Sequence, residues 1–520
     1  MSKQLRILIL SVILFSILPA RYTIAQINNY FRGRIINSTD SRPVPFATIR
    51  LKNNQIGIYA NAEGDFIISS KPEFESDSVI ITCIGFRRTA IAYSGLSEGK
   101  TNIIYLNPAV YNLGEVKVEA KRRKLGSEEL IARAIRRIKD NYPEKPFSYI
   151  SYYRDYQKEG KNYYNLNEAI VQTMDNGFKT RSVKDRYRLL EFRINSDFPR
   201  MSLSPYYTDD EPSGPGNFDK YIPNAELGDQ YGNELFILMT HDAIRNYKVR
   251  SFSYINTLKD DFLYNHFFSD PEEVYDNNLL LDRIDFTGKS RILNNAVTVS
   301  GSIYIQPRDF SIYKLIYSCY YKNKDKEPEL MFSIDTEYGH ENATDPLMYL
   351  KYISFNNIFY VIDPADTTYF RIDDSYWDPA DAAGNKIVIR FNNKIDPESA
   401  QHKDYYDIIV NNIRPKILSI KTKGKLLYLT LTNENLKGLK DSTWLNIKNL
   451  KDIDGNILDK RKVQKLYQYR ELFVEDYNRK IGFSDSCYMK YLPLDKNCIA
   501  KSPGTFNYWM NTPENIKDIK

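Results

Sequence analysis

The chain has 520 residues, 42% of them hydrophobic and 27% charged, which excludes a disordered chain and allows several domains. Its 72 Lys and Arg against 66 Asp and Glu leave a net charge of +6, too little to argue for a nucleic-acid partner. Tyrosine is the outlier: 42 Tyr and 26 Phe beside 4 His favour strands over helices.

Lys3 and Arg6 precede an apolar run, Ile7 to Leu18, followed by Pro19 and a small-residue approach to Ala25. That order is the pattern of a secretory signal peptide over residues 1–25. The run falls short of the roughly 20 residues that a bilayer-spanning helix needs. No Cys near Ala25 offers a lipid anchor, and no later stretch is long and apolar enough to span a membrane. The expected address is export, periplasmic or outer-membrane-associated.

Residues 26–112 read as short strands. Ala47, Ile49 and Leu51 alternate with Thr48, Arg50 and Lys52, which predicts a half-buried strand. Asn61 to Asp65 is a turn and Phe66–Ile68 a returning strand. Val79–Ile84 and Ile103–Leu106 complete a small sandwich. Gly33, the Pro43-Val44-Pro45-Phe46-Ala47 segment, Asn61 with Glu63-Gly64-Asp65-Phe66, and Ile84-Gly85-Phe86 together resemble the carboxypeptidase regulatory-like domain. The resemblance implies a transthyretin-like β-sandwich and an envelope context, not a reaction.

Residues 113–147 are expected as a linker with a helix. Leu130, Ile131, Ala134, Ile135 and Ile138 sit at helical spacing, Ser127 is the expected N-cap, and Pro143 follows the end. The basic run Lys121 to Lys124 before it reads as solvated linker, or as a contact for acidic lipid headgroups. Sandwich, helix and the tyrosine-rich strand after it resemble a broader group of secreted Gram-negative envelope proteins.

Residues 148–375 are expected as one or two antiparallel β-rich domains. Val297 to Ile305 and Ser311 to Tyr321 flank a turn at Pro307 and predict a long hairpin. Residues 197–224 read as a loop, and Glu234–Asn246 as a helix with Leu235, Leu238 and Met239 on one face. The curved-sheet pattern resembles the half-barrel of periplasmic lipoprotein carriers. In residues 376–470, Ile387, Ile389 and Phe391 form one strand face and Leu427, Leu429 and Leu431 another. With Asp396-Pro397-Glu398-Ser399 and the Asp452–Asn456 loop, this segment resembles a bacterial Ig-like domain. Residues 471–520 read as a tail, packed back through Tyr508 and Trp509. Cys83 is expected as a buried thiol, and Cys487 with Cys498 is the disulfide candidate.

The chemistry-bearing motifs are weak. Gly95-Leu96-Ser97-Glu98-Gly99 fits a nucleophile elbow in letters, but a strand is expected after it where an elbow needs a helix. Gly99-Lys100-Thr101 lacks the spacing and the helix of a phosphate loop. His241, His266, His340 and His402 show no zinc spacing, and His241-Asp242 reads as a cap or surface pair. Asp452, Asp454 and Asn456 read as a turn, as do Asp378, Asp381 and Asn385, because an EF-hand needs its glycine elsewhere. No acid stands in an apolar context that would raise its pKa. The tyrosine pairs, such as Tyr152-Tyr153, are expected to place one ring inward and one outward.

These observations favour a mainly β, non-enzymatic exported envelope protein acting through protein or glycan contacts. No catalytic residue, cofactor or metal is nominated. The alternative is a periplasmic carrier of a lipid or lipidated protein that uses the central sheet. An outer-membrane receptor is weakened by length, since a plug and a 22-stranded barrel do not fit in the roughly 400 residues after the first domain. The filling of the central sheet's inward face separates the first two readings; the oligomeric state stays open.

Overall fold

Alternation builds the first module. Ile49, Leu51, Val79 and Ile81 point to one side of their strands and are buried, while Arg50, Ile80 and Thr82 point to the other. The computed structural model describes residues 30–500, less 54–56, 62, 71, 110–124, 161, 196–197, 202, 207–217, 222–231, 250–257, 259, 277–278, 290–296, 323–327, 342–344, 363–367, 411–412, 433–442, 461–462 and 479–486. The expected signal segment 1–25, the basic run Lys121–Lys124, most of the loop over 197–224, and Tyr508 with Trp509 lie outside the described residues.

Seven strands form the module: β1 (Tyr30–Asn37), β2 (Thr48–Leu51), β3 (Gly57–Tyr59), β4 (Asp65–Ser69), β5 (Ser78–Thr82), β6 (Thr89–Ala92) and β7 (Thr101–Leu106). They make two sheets, ordered β4-β1-β7 and β3-β2-β5-β6, around a core that includes Ile35, Ala47, Ile49, Phe66 and Leu106. A Cβ on Gly33 would stand 2.1 Å from the Phe66 ring, so only glycine lets that ring lie across β1.

Helix α1 (Ser127–Asn141) is a structural part of the core, not a linker. Leu130, Ile131, Ala134 and Ile138 are buried, as their spacing implies. Its N-cap is Gly126, and Ser127 instead donates its hydroxyl to the Ser269 carbonyl at 2.5 Å. Tertiary contact has taken the side chain that local capping would have used.

The chain then runs through β8 (Phe147–Glu159), β9 (Asn162–Asp175), β10 (Arg186–Ile194), β11 (Leu203–Tyr206), β12 (Phe218–Tyr221), α2 (Glu234–Thr240), α3 (Asp260–Asn265), β13 (His266–Phe268), β14 (Glu272–Asp276), β15 (Leu279–Gly288), β16 (Val297–Ile305), β17 (Ile312–Tyr321), β18 (Glu329–His340) and β19 (Met348–Ile362). A smaller module follows: β20 (Ile372–Trp377), β21 (Lys386–Phe391), α4 (Pro397–Ala400), β22 (Tyr406–Val410), β23 (Ile417–Lys423), β24 (Leu426–Leu431) and β25 (Thr443–Ile447). It has its own core, holding Ile387, Ile389, Phe391, Leu427, Leu429 and Leu431, between a β20-β21-β24-β23 sheet and a β22-β25 pair. Its ends meet where the Asp459 amide donates to the Phe370 carbonyl at 2.8 Å.

The last long strand, β26 (Val463–Asn478), corrects the expected boundaries at 470 and 471. It lies between β8 and β19, so the small module is an insertion into the central domain and residues 471–478 are not tail. Gln464, Gln468, Arg470 and Glu471 had hidden the strand, because their buried partners lie far away in sequence. The resulting thirteen-stranded sheet follows the path β10-β9-β8-β26-β19-β18-β17-β16-β15-β13, with β11, β12 and β14 beside it. The path has two ends and closes no barrel.

Both faces of this sheet are covered at its middle strands β8, β26 and β19. On one, Tyr149, Tyr153, Leu472, Ile353 and Phe355 share a core with α1, α2 and α3. On the other, Tyr152, Phe473 and Tyr352 meet Tyr59 of the N-terminal module. Tyr152 and Tyr153 are therefore both buried, where one was expected to face out. The β10 edge is paired too: Met489 and Ala500 donate amide hydrogen bonds to Tyr187 and Leu189. A disulfide joins Cys487 to Cys498 in that segment, with Cα atoms 5.8 Å apart.

Candidate functional site

The N-terminal module sits on the central sheet through aromatic rings. Tyr59, at the end of β3, places its ring 4.5 Å from Phe473 and 5.7 Å from Tyr352. Phe46 lies 5.6 Å from Tyr352 and holds a φ of 57°, a left-handed conformation that costs a bulky residue about 1–3 kcal/mol. Lys158 pairs with Glu63, and the Gly85 amide donates to the Tyr275 carbonyl at 3.2 Å.

Beneath the rings runs a line of buried charge. Arg154 donates to Glu471 at 2.5 Å, and Glu471 also accepts the Tyr352 hydroxyl at 3.2 Å. Glu168, the neighbour of Arg154 across β9, accepts the Tyr152 hydroxyl at 2.7 Å and is paired with Arg193. Further along the same sheet, Lys314 lies 2.9 Å from Asp335 and 2.5 Å from Glu337. Burial alone would lower the Lys314 pKa; the two carboxylates hold it well above its usual value. Arg470, one residue from Glu471, serves the other face, where it binds Glu234 at 2.7 Å and Asn357 at 2.7 Å.

Beside the aromatic dock the module and sheet part to leave a cleft of about 490 Å³. Thr48, Arg50, Thr82 and Arg88 line it from the module, and Asp276, Glu337, Glu341 and Lys351 from the sheet. Burial, helped by the positive charge of Arg50 and opposed by Glu341, brings the Lys351 ammonium down to about 8. Burial and then Glu337 push the Asp276 carboxyl up to about 6. Cys83 also faces this cleft; burial pushes its thiol up to about 12, which leaves it a poor nucleophile.

The sequence candidates are scattered. Ser97 follows the short turn Tyr93–Gly95 and its amide donates to the side chain of Asn102 in β7, so a strand and not a helix comes next. His241 and Asp242 are buried, not a surface pair. The His241 ring stacks on Phe355 at 3.7 Å, and burial lowers its pKa to about 3, so it stays neutral. Asp242 accepts the Tyr338 hydroxyl at 2.7 Å and caps the turn through the Arg245 amide. Asp452 is occupied by Asn393 and Asn456, and Asp381 by the Asn385 amide. Among the described residues no group of three His, Cys, Asp or Glu could hold a metal ion. No described helix is long and apolar enough to cross a membrane.

The expectation that no acid has a raised pKa is overturned. Burial, with Glu234 adding to it, brings Asp155 to about 7; burial, with Asp175 adding, brings Asp185 to about 8; and burial brings Asp242 and Asp335 to about 6. These acids stand in strands or turns whose apolar neighbours come from elsewhere in the chain. A local signal did exist at Lys314, which alone interrupts the apolar run Ile312 to Tyr317, where a lone charge implies a buried partner.

The seam is made by one module whose kind can be compared. Residues 31–118 match the CarboxypepD_reg-like domain. The match ends before α1, so it describes the regulatory-like module and not the sheet it sits on. That family is a regulatory, Ig-like domain and not a catalytic one. Gly33, Phe46, Glu63 and Phe66 of the regulatory-like module are thus the same residues that shape its core and its dock. No curated protein and no solved structure matches the chain.

Proposed function

We propose that this chain is an exported, non-catalytic protein of the Gram-negative cell envelope that works by contact with a protein or glycan. The observation that carries the reading is the seam: a regulatory-like module is fixed by Tyr59, Phe46, Tyr352 and Phe473 onto a sheet whose opposite face is already packed. A module fixed in this way positions surfaces for a partner. The inserted module, which we take to be Ig-like, adds a second such surface, with Trp444 and Tyr376 exposed.

The carrier reading needs an open apolar trough in the central sheet. The helix-covered face is instead filled by side chains such as Tyr149, Tyr153, Ile353 and Phe355, and the seam beneath the regulatory-like module is charged. Native mass spectrometry of the protein extracted gently from its own envelope fraction tests the proposal. The expected species carries no lipid-sized mass. A retained lipid would overturn the contact reading, and recovery of the chain from the cytoplasm with residues 1–25 intact would overturn export.

A further inference from the structure

The regulatory-like module turns one sheet toward the central domain and the other away from it. Tyr59, Thr48, Arg50 and Thr82, which dock on the central sheet or line the cleft, belong to the β3-β2-β5-β6 sheet. The β4-β1-β7 sheet lies across the module core from them and ends at β7. On β7, Ile104 and Leu106 are buried in that core, while Ile103 and Tyr105 stay 45% and 56% exposed. The Ser38 amide donates to the Leu106 carbonyl at 2.9 Å, so Leu106, Ile104 and Asn102 turn their peptide groups toward β1. Thr101, Ile103 and Tyr105 turn theirs to the other side, where no described strand pairs with β7. That edge is bounded at one end by Asn107, whose carbonyl accepts the Arg87 amide at 2.8 Å, and at the other by Gly99, whose φ of 75° turns the chain away.

Several other strand edges in the chain carry a device against pairing. β10 is covered by Met489 and Ala500, β20 carries Asp373 and Asp374, β23 carries Lys421 and Lys423, and the Tyr275 carbonyl of β14 is taken by the Gly85 amide. β7 has no such charge, and neither glycine nor proline interrupts it. A six-residue uncharged edge with two exposed apolar side chains is a template for a further strand.

The strand is also its own complement. Antiparallel pairing of two copies about an axis at Ile103 sets Ile103 of one against Ile103 of the other, and Thr101 against Tyr105. All of these positions turn their peptide groups to the free side, so the pairing forms about six backbone hydrogen bonds. The exposed Ile103 and Tyr105 of both copies then cover one another, and no like charges stand opposed within the strands. The next position in register, Asn107 against Gly99, is where the chain of the other copy has already turned away, so the Arg87 bond does not obstruct the pairing. A second copy supplies this pattern without any further protein.

We propose that this chain forms a two-fold dimer by antiparallel pairing of β7 with β7 of a second copy, which joins the two β4-β1-β7 sheets into one. The proposal rests on the contact reading, to which it gives one named partner.

Sedimentation equilibrium of the full mature chain, from about 1 to 200 μM, tests it. The expected dissociation constant is on the order of 10 μM, as suits an interface smaller than the standard size. Ile103→Lys sets like charges against each other at the axis and should weaken the dimer by about tenfold or more. Ile103→Glu should do the same, and an equimolar mixture of the two variants should recover the dimer, because the two-fold register sets position 103 against itself. Tyr105→Lys, on the other exposed side chain, is a further variant that leaves the module core intact and should also weaken the dimer. A wild-type chain that stays monomeric throughout would overturn the proposal. A dimer that persists in all three variants would place the association on another surface and overturn it too, as would a mixture that dimerises no better than either variant alone. The contact reading fails separately: a retained lipid overturns it whatever the oligomeric state, whereas a monomeric, lipid-free chain loses only this partner.

Discussion

Arg154 Nε stands 2.5 Å from Glu471 Oε2, with a sequence separation of 317 and both side chains buried. The pair links β8 to β26, the strand that returns to the central sheet after the inserted module. Two charges taken out of water cost several kcal/mol each unless they meet, and here they meet with the Tyr352 hydroxyl as a third partner. Arg154→Met should destabilise the fold by about 3–5 kcal/mol, because Glu471 stays buried without its cation. Arg154→Met with Glu471→Leu should recover part of that loss. Urea unfolding of the three variants measures both; a single variant as stable as wild type would contradict the pairing.

Tyr59 carries the dock between the regulatory-like module and the central sheet. Truncating a fully desolvated aromatic anchor at an interface typically costs 2 kcal/mol or more. Tyr59→Ala should loosen the module without unfolding it, since its own core is built from Ile35, Ile49, Val79 and Ile81. Calorimetry should then resolve two unfolding transitions, with the first at lower temperature than in wild type. One unchanged transition would show that the rings do not hold the seam.

The disulfide between Cys487 and Cys498 closes a loop with a sequence separation of 11, and the same segment bonds along β10. By chain entropy, Cys487→Ser with Cys498→Ser should cost roughly 2–3 kcal/mol. The β10 edge should become available for pairing between molecules, so reduction should raise aggregation. Intact-mass analysis after alkylation without reduction should leave Cys487 and Cys498 unlabelled.

Asp155 holds its proton to about pH 7 in the folded chain, against an ordinary value of 3.8. Between those values the native state binds more protons than the unfolded state, so this residue makes stability fall as pH rises. Asp155→Asn removes that slope. The stability difference, wild type minus variant, should therefore shrink steadily from pH 4 to pH 7, as read by urea titrations across that range. A constant difference would show that Asp155 is ionised throughout.

Strand character was legible wherever one face is wet. Ile49 and Leu51 alternate with the half-buried Thr48 and exposed Arg50, and Leu427, Leu429 and Leu431 with half-buried residues, and both patterns predicted their strands. Where both faces are covered the alternation disappears: β8 and β26 mix Tyr, Arg, Asp, Glu and Gln with little period, because each side finds its partner in another element. Ser127 shows the same limit on a smaller scale. It has the right chemistry for a cap, yet the Ser269 carbonyl from a distant loop takes its hydroxyl.

The amino-acid sequence by itself determined the two sandwich-like modules, the helix at residues 127–141 and the candidate pairing of Cys487 with Cys498, because each rests on local periodicity, turn chemistry or a short loop. Only the tertiary structure decided that β26 returns to the central sheet, that Tyr59 docks the regulatory-like module, and that Arg50 and Lys351 face one cleft. Those relations join segments tens to hundreds of residues apart, and the energy that selects them is burial and charge pairing, which local sequence does not encode.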